Sequence, residues 1–60
     1  MKRLAVPLRL YAEFRQKLDQ FGICYSTMDL ADIQERRLFF HTPGGPLLEA
    51  VFSESVPQNS

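Results

Sequence analysis

The sequence contains a single cysteine, Cys24, among its 60 residues. An internal disulfide is therefore excluded, and a lone thiol is typical of a reducing compartment. Metal ligands are equally scarce, because Cys24 and His41 are the only soft ligands whereas a structural zinc site needs about four. We therefore expect no cofactor. A short chain without these two stabilising devices favours self-association, so we also expect a dimer.

Long hydrophobic runs are also missing. No stretch approaches the ~20 apolar residues that span a bilayer. The basic start, Met1 to Pro7, is not followed by the apolar run of a secretory signal. The sequence therefore predicts a cytoplasmic protein without membrane contact.

The chain has no net charge, but its basic and acidic residues are unevenly distributed along the sequence. Residues 1–17 carry five basic and one acidic residue, whereas residues 18–60 carry two basic and six acidic ones. Such asymmetry indicates either that the two halves attract each other, within one chain or head to tail in a dimer, or that the basic half faces nucleic acid.

The first half of the chain predicts a strand followed by a helix. Residues 3–10 alternate apolar and polar, which favours a half-buried strand, and Pro7 places that strand at a sheet edge. Residues 11–21 change to a helical period. The apolar stripe of this helix is formed by Tyr11, Phe14, Leu18 and Phe21. Gly22 is then expected to end the helix.

Residues 23–36 are less distinctive. Residues 23–27 are rich in β-branched and aromatic side chains and could form a short strand. A second, short helix is predicted over 28–36, with Met28, Leu30 and Ile33 as its apolar anchors.

Residues 37–52 predict a β-hairpin around a Pro43-Gly44 turn of type II. With a three-residue loop, Phe40 faces Leu48 and Leu38 faces Ala50. The register is favoured because it gives one hairpin face that is wholly apolar. That inner face consists of Leu38, Phe40, Leu48, Ala50 and Phe52. Residues 53–60 are polar and are predicted to be a disordered tail.

These elements predict one small α+β domain over residues 1–52, with one main helix packed on a mostly antiparallel sheet that ends in the hairpin. Catalytic chemistry is not indicated. Cys24 and His41 are interpreted as a buried small thiol and a surface histidine. The carboxylate pairs Asp29/Asp32 and Asp32/Glu35 have helical spacing and are interpreted as a solvated face. We expect a protein that is not an enzyme.

The candidate site is the second hairpin face, which is half apolar. It carries Arg37, Phe39, His41, Leu47, Glu49 and Val51. An apolar centre with a charged rim is typical of protein interfaces, and the same face could also serve a homodimer. We therefore predict a small regulatory or inhibitory protein that acts by binding a host or cognate protein.

An alternative function class rests on residues 2–36. A basic strand, a helix, a glycine-containing turn and a second helix resemble the ribbon-helix-helix repressors. The resemblance implies an obligate dimer whose paired strands enter the major groove of DNA. The basic residues available for nucleic-acid contact are Lys2, Arg3 and Arg9. Pro7 and the acidic character of residues 28–36 depart from that pattern.

Overall fold

Four strands and one α-helix form the described part of the chain, residues 1–54 of a computed structural model. The elements are β1 (Lys2–Pro7), α1 (Tyr11–Gln20), β2 (Tyr25–Leu30), β3 (Glu35–His41) and β4 (Leu47–Ser53). Single 3-10 turns, Leu8–Leu10 and Ala31–Ile33, precede α1 and β3. The predicted tail begins at the last residue of β4, and its residues 55–60 lie outside the described residues.

The strands form one mixed sheet in the order β1-β4-β3-β2. β3 pairs antiparallel with both β2 and β4, whereas β1 runs parallel to β4. A parallel pair needs a crossover connection, and the chain supplies it with α1 and the two following strands. The predicted α+β class is confirmed, and Pro7 lies on an edge strand as expected.

The helix packs on the sheet through aromatic side chains. Tyr11 meets Phe52 edge to face at a ring-centroid distance of 5.1 Å. Phe14 contacts Phe52 at 5.3 Å and Phe40 at 5.8 Å in the same manner. Leu18 is buried one turn further along. These contacts confirm three of the four predicted stripe residues.

Phe21, the fourth stripe residue, was predicted wrongly, because its surface is 75% exposed. The helix ends at Gln20, and Gly22 takes a positive φ of 67°. The amide of Ile23 then donates to the carbonyl of Leu18 at 2.9 Å, which closes a Schellman motif. The chain leaves the helical repeat at Gly22, and Phe21 lies at the end of the helix, beyond Leu18, with its ring outside the core.

The second helix predicted over residues 28–36 is also wrong. Residues 25–30 form strand β2 at the free edge of the sheet, and Glu35 begins β3. Between them, Gln34 adopts a left-handed conformation with φ of 51°, which reverses the chain direction. Ile33, expected as an apolar anchor, is 60% exposed in the connecting turn.

The hairpin follows the predicted register. Phe40 pairs with Leu48 and Leu38 pairs with Ala50. Gly44 has a φ of 67°, and the amide of Gly45 donates to the carbonyl of Thr42 at 2.8 Å, as a type II turn requires.

The inner sheet face supplies most of the core. The buried apolar residues are Leu18, Leu38, Phe40, Ala50 and Phe52. Half-buried side chains such as Val6, Leu8 and Ile23 pack around them. None of the helices formed by residues 1–54 combines the length and the hydropathy needed to cross a membrane.

Candidate functional site

The outer face of the sheet is the face opposite to the one on which α1 packs. Antiparallel partners share a side of the sheet, so the observed register assigns each strand residue to a face. All six residues of the predicted site fall on the outer face: Arg37, Phe39, His41, Leu47, Glu49 and Val51. The aromatic contacts of α1 are made with Phe40 and Phe52, which lie on the opposite, inner face.

A charged cluster occupies the middle of the outer face. Glu49 is only 2% exposed, although it carries a carboxylate. Its Oε1 lies 2.9 Å from Nε of Arg3 on β1, and its Oε2 lies 3.5 Å from Nη1 of Arg37 on β3. Nη2 of Arg37 lies 2.8 Å from Oε1 of Glu35 on the same strand. The ion pairs therefore connect three adjacent strands, β1, β4 and β3.

This cluster reverses the predicted arrangement of the site, in which apolar side chains formed the centre and charges formed the rim. Phe39 is the cross-strand neighbour of Glu49, and Val51 is that of Arg37. The two apolar residues are half-buried because long charged side chains lie beside them. Phe39 therefore lies on one side of the Glu49–Arg37 ion pair, and Val51 lies on the other.

A cleft of about 660 Å³ opens at the end of the sheet where β2 begins and β3 ends. Its volume lies in the range of ordinary ligand sites, but it is shallow and open. Phe39, His41 and Leu47 of the predicted site line it together with Phe21 and Ile23. The cleft therefore continues the outer face at the end of the sheet with a depression lined by both apolar and polar side chains.

Phe21 and Ile23 were not identified as site residues from the sequence. The signal for Phe21 was its position directly before Gly22, because a helix-ending glycine places the preceding residue at the end of the helix. Ile23 could not have been placed without knowing that the β3–β4 loop lies next to the end of α1.

Cys24 and His41 both line this cleft. Cys24 directly precedes Tyr25, and His41 directly follows Phe40, the residue with which Tyr25 pairs. The thiol was expected to be buried and is instead exposed. No Asp or Glu is among the described residues that line the cleft, so an orienting carboxylate for His41 is not supplied there.

The carboxylates and basic residues considered in the sequence are dispersed by the fold. Asp29 lies in β2, Asp32 in a 3-10 turn and Glu35 at the start of β3, so the helical pairs predicted for them do not form. Across residues 1–54, the His, Cys, Asp and Glu side chains form no group of three that could hold a metal ion.

The three candidate nucleic-acid contacts do not form one surface. Lys2 and Arg3 are adjacent in β1 and therefore point to opposite faces of the sheet. Arg3 is paired with Glu49, while Arg9 lies in the 3-10 turn before α1. In addition, β1 pairs with β4 on one side, so only its other edge could pair with a second chain.

Comparison of the chain with protein-family models, with curated proteins and with solved structures finds no match. The functional argument therefore depends on the geometry of the outer face and the cleft.

Proposed function

We propose that this chain is a small, non-enzymatic binding protein that regulates or inhibits a partner protein by docking its outer sheet face on it. The observation that supports this proposal is the continuity of that face with the cleft. Together they offer half-buried Phe39 and Leu47 beside a fixed charged cluster. Aromatic and aliphatic anchors next to ordered charges are typical of interfaces that bind proteins.

The charged cluster gives the surface a defined polar component. Arg3 and Arg37 are held in place by Glu49, so their remaining donors do not need to be ordered when a partner arrives. A partner segment with one apolar side chain for the cleft and a carboxylate or carbonyl for Arg3 would match this pattern.

Affinity capture tests the proposal. The tagged chain is used to recover partners from the cells that produce it, and recovered proteins are quantified by mass spectrometry. We expect Phe39→Ala and Leu47→Ala each to weaken the affinity for the partner by about 30-fold, equivalent to about 2 kcal/mol.

Ile33→Ala is the matched control, because Ile33 is apolar and exposed but lies in the turn before β3, away from the cleft. It should leave recovery unchanged. Equal recovery by wild type, Phe39→Ala and Leu47→Ala would contradict the proposal, provided that circular dichroism shows all variants folded.

A further inference from the structure

The two edges of the sheet differ in how they are protected against pairing with another chain. β1 carries Lys2 and Pro7, and charged residues and proline are common devices that block edge-to-edge association. β2 reads Tyr-Ser-Thr-Met-Asp-Leu and contains neither lysine, arginine, proline nor glycine. Within residues 1–54, no strand pairs with the outer side of β2. β1 is therefore the guarded edge, whereas β2 carries the single charge of Asp29 and is the more open one.

We propose that two copies of this chain pair antiparallel through β2, which joins their sheets into one of eight strands. The dimer would be isologous, with its two-fold axis passing through the β2–β2 contact. The six outer-face residues lie on β3 and β4 rather than on β2, whereas Tyr25 and Ser26, which line one side of the cleft, border the contact. The inference concerns assembly of the chain with itself and therefore goes beyond the proposed function.

The alternation of side chains restricts the register. Residues opposite each other in an antiparallel pair lie on the same side of the sheet, and the two-fold axis places a given residue of both copies on that same side. Paired residues must therefore be an even number of positions apart in the sequence. The axis then passes through a residue position rather than between two residues. An axis at Thr27 pairs Tyr25 with Asp29 of the second copy and uses nearly the whole strand. An axis at Met28 would place Tyr25 opposite the 3-10 turn. We therefore assign the axis to Thr27.

Charges are complementary in this register. The hydroxyl of Tyr25 accepts a hydrogen bond from Nε of Arg15 at 3.2 Å, and this contact raises the pKa of Arg15 above its ordinary value. Asp29 is the single charged residue of β2; its side chain is 67% exposed, and its Oδ1 lies 3.6 Å from Nε of Arg36 on β3, so it is available to a second cation on its open side. Opposite Tyr25 of the second copy, Asp29 comes next to the Arg15 guanidinium of that copy. Symmetry provides this contact twice.

The apolar side of the pairing and the small core also favour a second copy over an unrelated peptide. Met28 is 45% exposed and would lie against Ser26 of the second copy on the outer face. The core of one chain has only five buried apolar residues among the described ones. A domain of this size gains stability from assembly. In a two-fold dimer, each copy presents the same strand edge to the other, so no second kind of edge is needed.

Sedimentation equilibrium of the full chain tests the dimer. Wild type should be dimeric at micromolar concentration. Thr27→Lys places two like charges on the axis and should weaken the dimer at least about tenfold. Ala5→Lys is the matched control, since Ala5 is an exposed residue of the guarded edge, and its dimer constant should stay within about twofold of wild type.

Two further variants test the register. In a Cys24→Ser background, Thr27→Cys should form a disulfide-linked dimer on oxidation, whereas Met28→Cys should form much less. Asp29→Arg and Arg15→Asp should each weaken the dimer, and the double exchange should restore it.

Four outcomes would overturn the inference. They are a folded wild-type monomer at all concentrations, a dimer unaffected by Thr27→Lys, a dimer weakened equally by Ala5→Lys, and cross-linking at Met28 instead of Thr27. Because these measurements use the purified chain alone, their failure is distinguishable from a failure of partner capture.

Discussion

Glu49 accepts a hydrogen bond from Nε of Arg3 at 2.9 Å, and this contact bridges the parallel pair of β1 and β4. The carboxylate is almost fully buried, whereas the Arg3 side chain is 66% exposed. The two partners therefore have unequal importance, because a buried charge without its partner is costly and an exposed one is not.

Replacing Arg3 by Gln should lower the free energy of unfolding by about 1–3 kcal/mol, because it leaves the buried Glu49 carboxylate with the longer contact to Arg37 at 3.5 Å. Glu49→Gln should cost less than about 1 kcal/mol, because it removes the buried charge and leaves the exposed Arg3 side chain to water. Urea denaturation followed by circular dichroism measures both. A Glu49→Gln variant that is less stable than Arg3→Gln would show that an unpaired buried carboxylate is not the larger cost.

Phe14→Ala should lower the free energy of unfolding by about 3 kcal/mol, because the ring contacts both Phe40 and Phe52. This approaches the whole stability expected for a domain of this size, so the variant should be largely unfolded. Phe21→Ala is the matched control, and its exposed ring should contribute less than about 0.5 kcal/mol. Thermal melts of the two variants should differ clearly, and similar melts would contradict the assignment of the helix face.

Both left-handed positions, Gln34 and Gly44, should favour glycine over a residue with a side chain. Gly44→Ala places a side chain at a φ of 67° and should cost about 1 kcal/mol. Gln34 already carries a side chain at a φ of 51°, so Gln34→Gly should stabilise the chain by about 0.5–1 kcal/mol. Denaturant midpoints check both changes. A destabilised Gln34→Gly variant would show that the Gln34 side chain makes a contact that outweighs the backbone strain.

Partner binding should depend weakly on salt. Binding through Phe39 and the cleft releases few counterions, so raising NaCl from about 50 to 200 mM should change the affinity by less than about tenfold. Replacing Arg3 and Arg9 by Ala should likewise have a smaller effect than Phe39→Ala. Fluorescence titration with the captured partner, and with a DNA duplex as comparison, gives the salt slope. A steep slope together with loss of binding in the double arginine variant would favour the DNA-binding alternative.

The sequence was most informative where one side of an element is buried. The helix stripe and the hairpin register followed from burial on one side, and Leu38, Ala50 and Phe52 are completely buried as predicted. Strand β2 lies at the sheet edge with most of its side chains exposed on both faces, so its sequence has no clear alternation. The spacing of Met28, Leu30 and Ile33 then imitated a helical stripe.

The burial of Glu49 in the candidate site could not be predicted from the sequence, for a different reason. The hairpin register placed Glu49 on the outer face correctly. Its burial depends on Arg3, which is 46 residues away and reaches it only through the parallel pairing of β1 with β4. Local patterns carry no information about such a long-range contact, and the cleft beside Phe21 was missed for the same reason.

The position of β4 determines the order in which the fold can be completed. The last strand in the described sequence is an inner strand of the sheet, with β1 on one side and β3 on the other. Until Leu47–Ser53 is synthesised, β1 has no neighbour to pair with and the helix has no Phe52 to pack on. Folding must therefore wait for nearly all of the described chain, and the many long-range contacts are expected to make it slower than that of a helical domain of equal length. Since β4 joins the two halves of the sheet, removing it would leave a β2–β3 hairpin and an unsupported helix rather than a smaller version of the domain.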